Sequence, residues 1–194
     1  MTDSSLAWEV LERETAYSCP GFDIVHEEVR LPTGTETDFD YLTEPPSVVI
    51  LPFTSDDELV LVHEWRQAVD RVNRGLPAGS ADPDDDTLEK TAARELEEET
   101  GYVAGDLEKL IAVEPANGLA AIEHHYFLAT DCTPTGTQSL DFDETNHVET
   151  ARYETLLSEV LAGEIRDGRT VLGVLFYHAT GSDTLTNDPR KADS

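Results

Sequence analysis

Three carboxylates, Glu95, Glu98 and Glu99, have the residue type and spacing to do chemistry. They belong to the run Arg94-Glu95-Leu96-Glu97-Glu98-Glu99-Thr100-Gly101-Tyr102. Asp86, with Glu89 three residues on, reads as an N-cap with a capping box, Leu88, Ala92 and Leu96 recur at helical spacing, and Gly101 is placed to end the helix in the left-handed conformation. A helix is therefore predicted over about residues 87–99. At about 100° per residue, Glu95, Glu98 and Glu99 fall within a narrow arc, while Glu97 and Lys90 point to the opposite side. Like charges three or four apart cost an isolated helix about 0.2–0.5 kcal/mol per pair, so the arrangement calls for a cation. Oxygen ligands with no His or Cys interleaved suit Mg²⁺ or Mn²⁺, which keep several waters and bind substrate phosphates. The competing reading is a solvated acidic face.

This stretch resembles the box of the Nudix hydrolases: Gly, five residues, Glu, seven residues, then Arg-Glu-apolar-x-Glu-Glu-x-Gly-apolar. Arg94 to Tyr102 matches the last nine positions without a gap. Counting seven back from Arg94 reaches Asp86 in the Glu position, whereas counting forward from Gly79 reaches Asp85. The chain thus carries one extra residue in the loop and Asp in place of Glu. The resemblance implies an α+β chain with the α/β/α sandwich Nudix fold on a mixed central sheet, and a hydrolase dependent on Mg²⁺ (or Mn²⁺). It makes Glu95 and Glu99 the principal metal ligands, Glu98 a further ligand or partner, and the Ala78 carbonyl an additional oxygen ligand. Arg94 would pair internally and orient the carboxylates. Metal ions bridging a diphosphate neutralise its charge and position a water for attack on phosphorus.

The segments Glu64-Trp65-Arg66-Gln67 and Gly75-Leu76-Pro77-Ala78-Gly79 resemble those that precede the box in the ADP-ribose pyrophosphatase branch of the family, although many members have Glu where this chain has Gly75. By that resemblance Trp65 and Arg66 are substrate-binding candidates. Pro115 is the counterpart of a proline that marks ADP-ribose specificity, and residues 1–45 form an extra β-rich extension that helps build a homodimer. In that branch a Glu on a loop activates the attacking water. The comparable loop here offers Asp141, Asp143 and Glu144, of which Glu144 is the expected base, because it stands a few residues before Val148 and has the longer side chain. The expected substrate is ADP-ribose or a related nucleoside diphosphate derivative, split into AMP and ribose 5-phosphate. Hydrolysis of another nucleotide-sugar or of a dinucleoside polyphosphate is the alternative within enzymes, because the box reads diphosphate–metal geometry and not the attached groups. A non-catalytic nucleotide-binding module would usually lose a box carboxylate, and all three remain.

The elements that must position these residues are also legible. Residues 1–45 carry strand-like runs, including Phe22 to Leu31 before a Pro32-Thr33-Gly34 turn, and the resemblance places the hydrolase domain in residues 46–180. Ser47 to Pro52 and Glu58 to Trp65 form a core hairpin across Thr54-Ser55-Asp56-Asp57. Strands are expected at Leu107 to Glu114, His124 to Thr130 and Val148 to Tyr153, and helices at Leu156 to Ala162 and Thr170 to His178; Gly181 to Ser194 lacks periodicity and reads as a tail. His124 and His125 point to opposite faces of their strand and have no matching ligand set. Cys19 and Cys132 lack metal-ligand spacing and read as free thiols of a reducing compartment. No apolar run is long enough for a membrane span and no signal segment opens the chain, so a cytoplasmic protein is expected.

The 194-residue chain has 41 acidic residues against 13 basic ones and a net charge of −28. So negative a field disfavours nucleic-acid and acidic-membrane partners. An acidic, lysine-poor surface is also what halophilic cytoplasmic proteins look like: in molar salt the Debye length shrinks to about 3 Å and self-repulsion is screened. The folded state should therefore gain stability as KCl rises from dilute buffer into the molar range. Thermal melting across a KCl series checks this, and a flat or falling midpoint counts against the halophilic reading.

Overall fold

The computed structural model describes residues 4–136, 138–140 and 145–180. Asp141, Asp143, Glu144 and the tail 181–194 lie outside the described residues. The chain divides into two compact units, Met1–Pro46 with Val113–His124, and Ser47–Ala112 with His125–Ser194. The first unit thus takes in the segment 113–124 as well as the N-terminal residues.

Within the first unit, β1 (Glu9–Ser18), β2 (Asp23–Arg30), β3 (Glu36–Thr43) and the short β10 (Ala120–Ala121) form one sheet in the order β1-β2-β3-β10. The first three are antiparallel and β10 runs parallel to β3. Every residue of β1 is exposed. Glu27 is buried on β2 and accepts hydrogen bonds from Arg13 and from the Tyr41 hydroxyl.

The second unit is built on an eight-stranded sheet. Its spine runs β12 (Asn146–Arg152), β5 (Glu58–Arg66), β4 (Ser47–Thr54), β11 (His124–Pro134) and β8 (Tyr102–Val103); β6 (Arg71–Gly75) adds to β5, β7 (Ala78–Ser80) to β4 and β9 (Asp106–Val113) to β11. The predicted hairpin is β4–β5, with Phe53 opposite Leu59. Nearly all of β4 is buried, as expected of a central strand covered on both faces. Val48 and Ile50 join Phe127 and Ala129 of β11 in a core with Ala92 and Leu96 of α1 (Leu88–Thr100). Leu51, one residue out of phase and so on the other face, meets Gly173 of α3 (Gly168–Thr180) together with Tyr126 and Leu76. Helices therefore cover both faces, the α/β/α sandwich of the α+β class. Phe53 on that second face stacks with Tyr153 and Tyr177. Burying each large apolar side chain contributes about 1.5–3 kcal/mol.

The helix α2 (Tyr153–Leu161) follows β12 directly. Arg74 of β6 pairs with both Glu149 of β12 and Glu159 of α2, and His63 of β5 reaches Glu149 at 3.0 Å. This network ties β12 to the sheet interior. Cys132 is buried and both cysteines are free.

One local expectation is corrected. The N-cap of α1 is Thr87 and not Asp86: the Thr87 hydroxyl accepts the Lys90 backbone N–H, and Asp86 turns outward to pair with the Lys90 ammonium. The helix spans Leu88–Thr100, and Gly101 closes it at φ 69° as expected. Replacing Thr87 by Ala should cost about 0.5–2 kcal/mol through the lost cap. Asp86→Ala removes only an exposed i,i+4 pair, about 0.3–0.5 kcal/mol. Urea denaturation of the two variants reverses this order if Asp86 is the cap.

Candidate active site

The acidic face of α1 packs against the turn between β6 and β7. Ala78 and Gly79 are held in register with Val49 and Val48 of β4, and the Pro77 carbonyl accepts the Ile50 N–H at 3.0 Å. The turn is also fixed from the far side of the sheet. Asp167 caps α3, accepting the Thr170 N–H at 3.0 Å and its hydroxyl at 2.7 Å, while the same hydroxyl oxygen accepts the Leu76 N–H at 3.0 Å. Gly75 is a necessity of this packing, because a Cβ there would stand 2.4 Å from Thr170 Oγ1. An acid at position 75 does not fit unless Thr170 moves.

Glu99 is buried, at 5 % exposure, and its carboxylate accepts the Ala78 N–H at 3.1 Å; a buried carboxylate without such a donor would be costly. Glu95 lies over Gly79, where a Cβ would come within 2.0–2.3 Å of the carboxyl atoms. Any side chain at position 79 would displace Glu95. Glu98 is the outermost of the three, and Glu97 is exposed on the other side of the helix.

Arg94 sits among these acids. Its Nη1 donates to Glu95 and to Glu98, each at 2.9 Å, and its Nη2 donates to Asp85 at 2.8 Å and to the Ser80 carbonyl at 3.0 Å. Asp85, and not Asp86, is therefore the acid that meets Arg94. Five residues separate Gly79 from Asp85, as in the box, and the extra residue falls between Asp85 and Arg94. The Arg94 guanidinium, helped by the Asp82 N–H and the Thr91 hydroxyl and opposed by burial, lowers the Asp85 carboxyl to about 2. The same contact raises the Arg94 pKa further.

Among the described residues no three His, Cys, Asp or Glu side chains already stand around a common point as a metal would require. Glu95 and Glu98 lie on Arg94 and Glu99 on the Ala78 N–H. The donor set is nonetheless all oxygen, and Gly79 leaves room for Glu95; both fit a hard divalent cation.

Arg66 and Trp65 make their contacts away from this helix face. Arg66 pairs with Glu64 at 2.7 Å and lines a small cavity with Gly75, Asp167 and Arg169. Trp65 is 45 % exposed and its indole N–H donates to Gln67 at 3.0 Å. Pro115 stands in the exposed turn 115–119 of the first unit. Sequence reasoning did not single out Gln138 and Asn146, whose side-chain amides both donate to the Glu99 carbonyl. Their contacts span about forty residues of chain and follow no local pattern.

Comparison with known proteins decides the family. Residues 43–172 match the NUDIX domain family. The chain belongs to the Nudix hydrolases. It is 31 % identical to the ADP-ribose pyrophosphatase of Bacillus subtilis over 173 residues, covering 89 % of this chain and 93 % of that protein. It is 27 % identical to the ADP-ribose pyrophosphatase of Mycobacterium tuberculosis, covering 96 % and 90 % of the two chains. The crystal structure of an ADP compounds hydrolase superposes with a TM-score of 0.79 at 20 % identity over 91 % of this chain and 95 % of that one, which establishes the shared fold. No helix of this Nudix hydrolase, among the described residues, is long and apolar enough to cross a membrane.

The Asp85–Arg94 pair yields a pH dependence. A carboxyl whose folded pKa is depressed contributes stability that is complete above its unfolded value and is lost as pH falls through the folded value. The stability difference between wild type and Asp85→Asn should thus be constant above the ordinary value of 3.8 and shrink as pH falls toward about 2. Urea denaturation of both proteins across that interval measures it; a difference that grows on acidification contradicts the pairing.

Proposed function

We propose that this Nudix hydrolase cleaves the diphosphate of ADP-ribose, or of a related nucleoside diphosphate derivative, to AMP and ribose 5-phosphate. The observation that carries the reading is the set of three carboxylates gathered with Arg94 against the Ala78–Gly79 turn. The names of the two similar pyrophosphatases favour ADP-ribose within that class. Hydrolysis of another nucleotide-sugar is the second reading, favoured by Gly75, which leaves the turn without the acid that many members of the branch carry.

Nudix hydrolases generally use divalent metals; here Glu95, Glu98, Glu99 and the Ala78 carbonyl would hold Mg²⁺ (or Mn²⁺). The bound ion would neutralise the diphosphate and lower the cost of charge on the leaving phosphate. Arg94 keeps the carboxylates together, and a cation would compete with it for the oxygens of Glu95 and Glu98. Glu144 takes the proton of the attacking water as the water oxygen bonds to phosphorus, the bridging P–O bond of the diphosphate breaks, and the leaving phosphate carries away the electron pair. Arg66 and Trp65 bind the substrate, with Pro115 shaping its specificity.

Residues 1–45 form an extension to the hydrolase domain of 46–180, and two copies pair as a homodimer. Trp8, Val10 and Leu11 are 38–47 % exposed on or beside a strand with no buried residue, an apolar surface suited to a partner. The protein works in a cytoplasm of high salt, where its net charge is screened.

The experiment is release of AMP from ADP-ribose, set beside a panel of nucleotide-sugars and dinucleoside polyphosphates, with Mg²⁺ and with chelator. Glu95→Gln and Glu99→Gln should abolish most turnover, while Glu97→Gln changes little. A positioned general base contributes about 10²–10⁴-fold, or about 3–5 kcal/mol of barrier, so Glu144→Gln should lower kcat by that order with KM less affected. Asp141→Asn should stay near wild type. Full kcat in Glu144→Gln at saturating Mg²⁺ removes Glu144 from the role, and equal losses at Glu97 and Glu99 remove the helix-face assignment.

A further inference from the structure

Glu99 is gripped at both ends. Its carboxylate accepts the Ala78 N–H at 3.1 Å. Its backbone carbonyl accepts Gln138 Nε2 at 2.6 Å and Asn146 Nδ2 at 3.1 Å, and Gln138 Nε2 also donates to Asn146 Oδ1 at 2.8 Å. The last carbonyls of an α-helix have no partner within the helix. In α1, Glu97 O takes the Gly101 N–H, Glu98 O takes the Ser139 N–H at 3.0 Å, and Glu99 O is left to the two amides.

Both grips trace back to the same sheet. Ala78 lies on β7 opposite Val49 of the buried β4, and Asn146 opens β12 opposite Glu64 of β5. Glu99 is thus tied through Ala78 and Asn146 to two strands of one sheet, and Gln138, which lies in no strand, adds a further bond to its carbonyl. The chemistry of the second grip is also specific. A helix C-terminus attracts cations, and a Lys or Arg there would compete for Glu98 and Glu99. Neutral amides satisfy the carbonyl and leave the negative potential of the acidic face intact.

We propose that Gln138 and Asn146 are positioning residues for Glu99, a pair of neutral amides that fixes the approach of its carboxylate to the divalent cation and thereby sets metal affinity. The inference rests on the reading of Glu99 as a metal ligand. Because either amide alone still donates to the carbonyl, losing one loosens the grip and losing both removes it.

The test is Mn²⁺ binding in the absence of nucleotide, followed by electron paramagnetic resonance of the free ion, for wild type, Gln138→Met, Asn146→Leu, the double variant and Glu99→Gln. Near-ultraviolet circular dichroism of the same samples reports folding. Each single variant should weaken Mn²⁺ binding about threefold, and the double variant about 10–100-fold, the range for partners that orient a ligand. The loss in the double should exceed the product of the singles. Wild-type Mn²⁺ affinity in both single variants, or in a folded double, overturns the proposal when Glu99→Gln weakens binding. Unchanged binding in Glu99→Gln instead removes the ligand reading, and the proposal with it. The single variants decide the matter if the double does not fold.

Discussion

Everything in the second unit is arranged around the repulsion of carboxylates that share one helix face. Glu95, Glu98 and Asp85 gather around the Arg94 guanidinium, the charge that lets them do so, while Glu99 beside them is held by the Ala78 N–H. A planar fork with five donors can serve three acids and a carbonyl at once, which a lysine ammonium cannot do with the same geometry. The contacts are at 2.8–3.0 Å, the range of charge-assisted bonds.

The guanidinium alone does not say where the acids stand. That is decided by what α1 packs on: Ala92 and Leu96 lock one side of the helix into the core with Val48 and Ile50, so the acidic side must face the edge where Ala78 and Gly79 pair with β4. Alternation along β4 carries the arrangement through the sheet. Val48 and Ile50 hold the acid helix, and Leu51 on the other face meets α3, whose Thr170 reaches back to the Leu76 N–H. The turn beneath the carboxylates is thereby braced from both layers.

Much of this was legible from residue order because it is periodic. The helix of α1, its glycine stop and the β4–β5 hairpin each repeat a local rule, and the box carried the family. The choice between Asp85 and Asp86 was not, since both spacings fit one end of the pattern; it took the position of Thr87 as the cap to turn Asp86 outward and leave Asp85 for Arg94. Gln138 and Asn146 were invisible for a different reason: a side-chain amide seeking a helix carbonyl leaves no trace in hydropathy. The two-residue strand β10 escaped as well, because its parallel pairing with β3 depends on partners almost eighty residues away.

The contact of Gly75 with Thr170 bears on how substrate preference could change in this lineage. A glycine whose missing side chain is filled by a neighbouring hydroxyl is one half of a pair, and the halves are not exchangeable singly. Introducing an acid at position 75 pushes Thr170 from the Leu76 N–H, and shrinking Thr170 first abandons that N–H and half of the bonding to the Asp167 cap. Each first step destabilises the turn that carries the carboxylates. Positions 75 and 170 are therefore coupled, and a change at one calls for a change at the other.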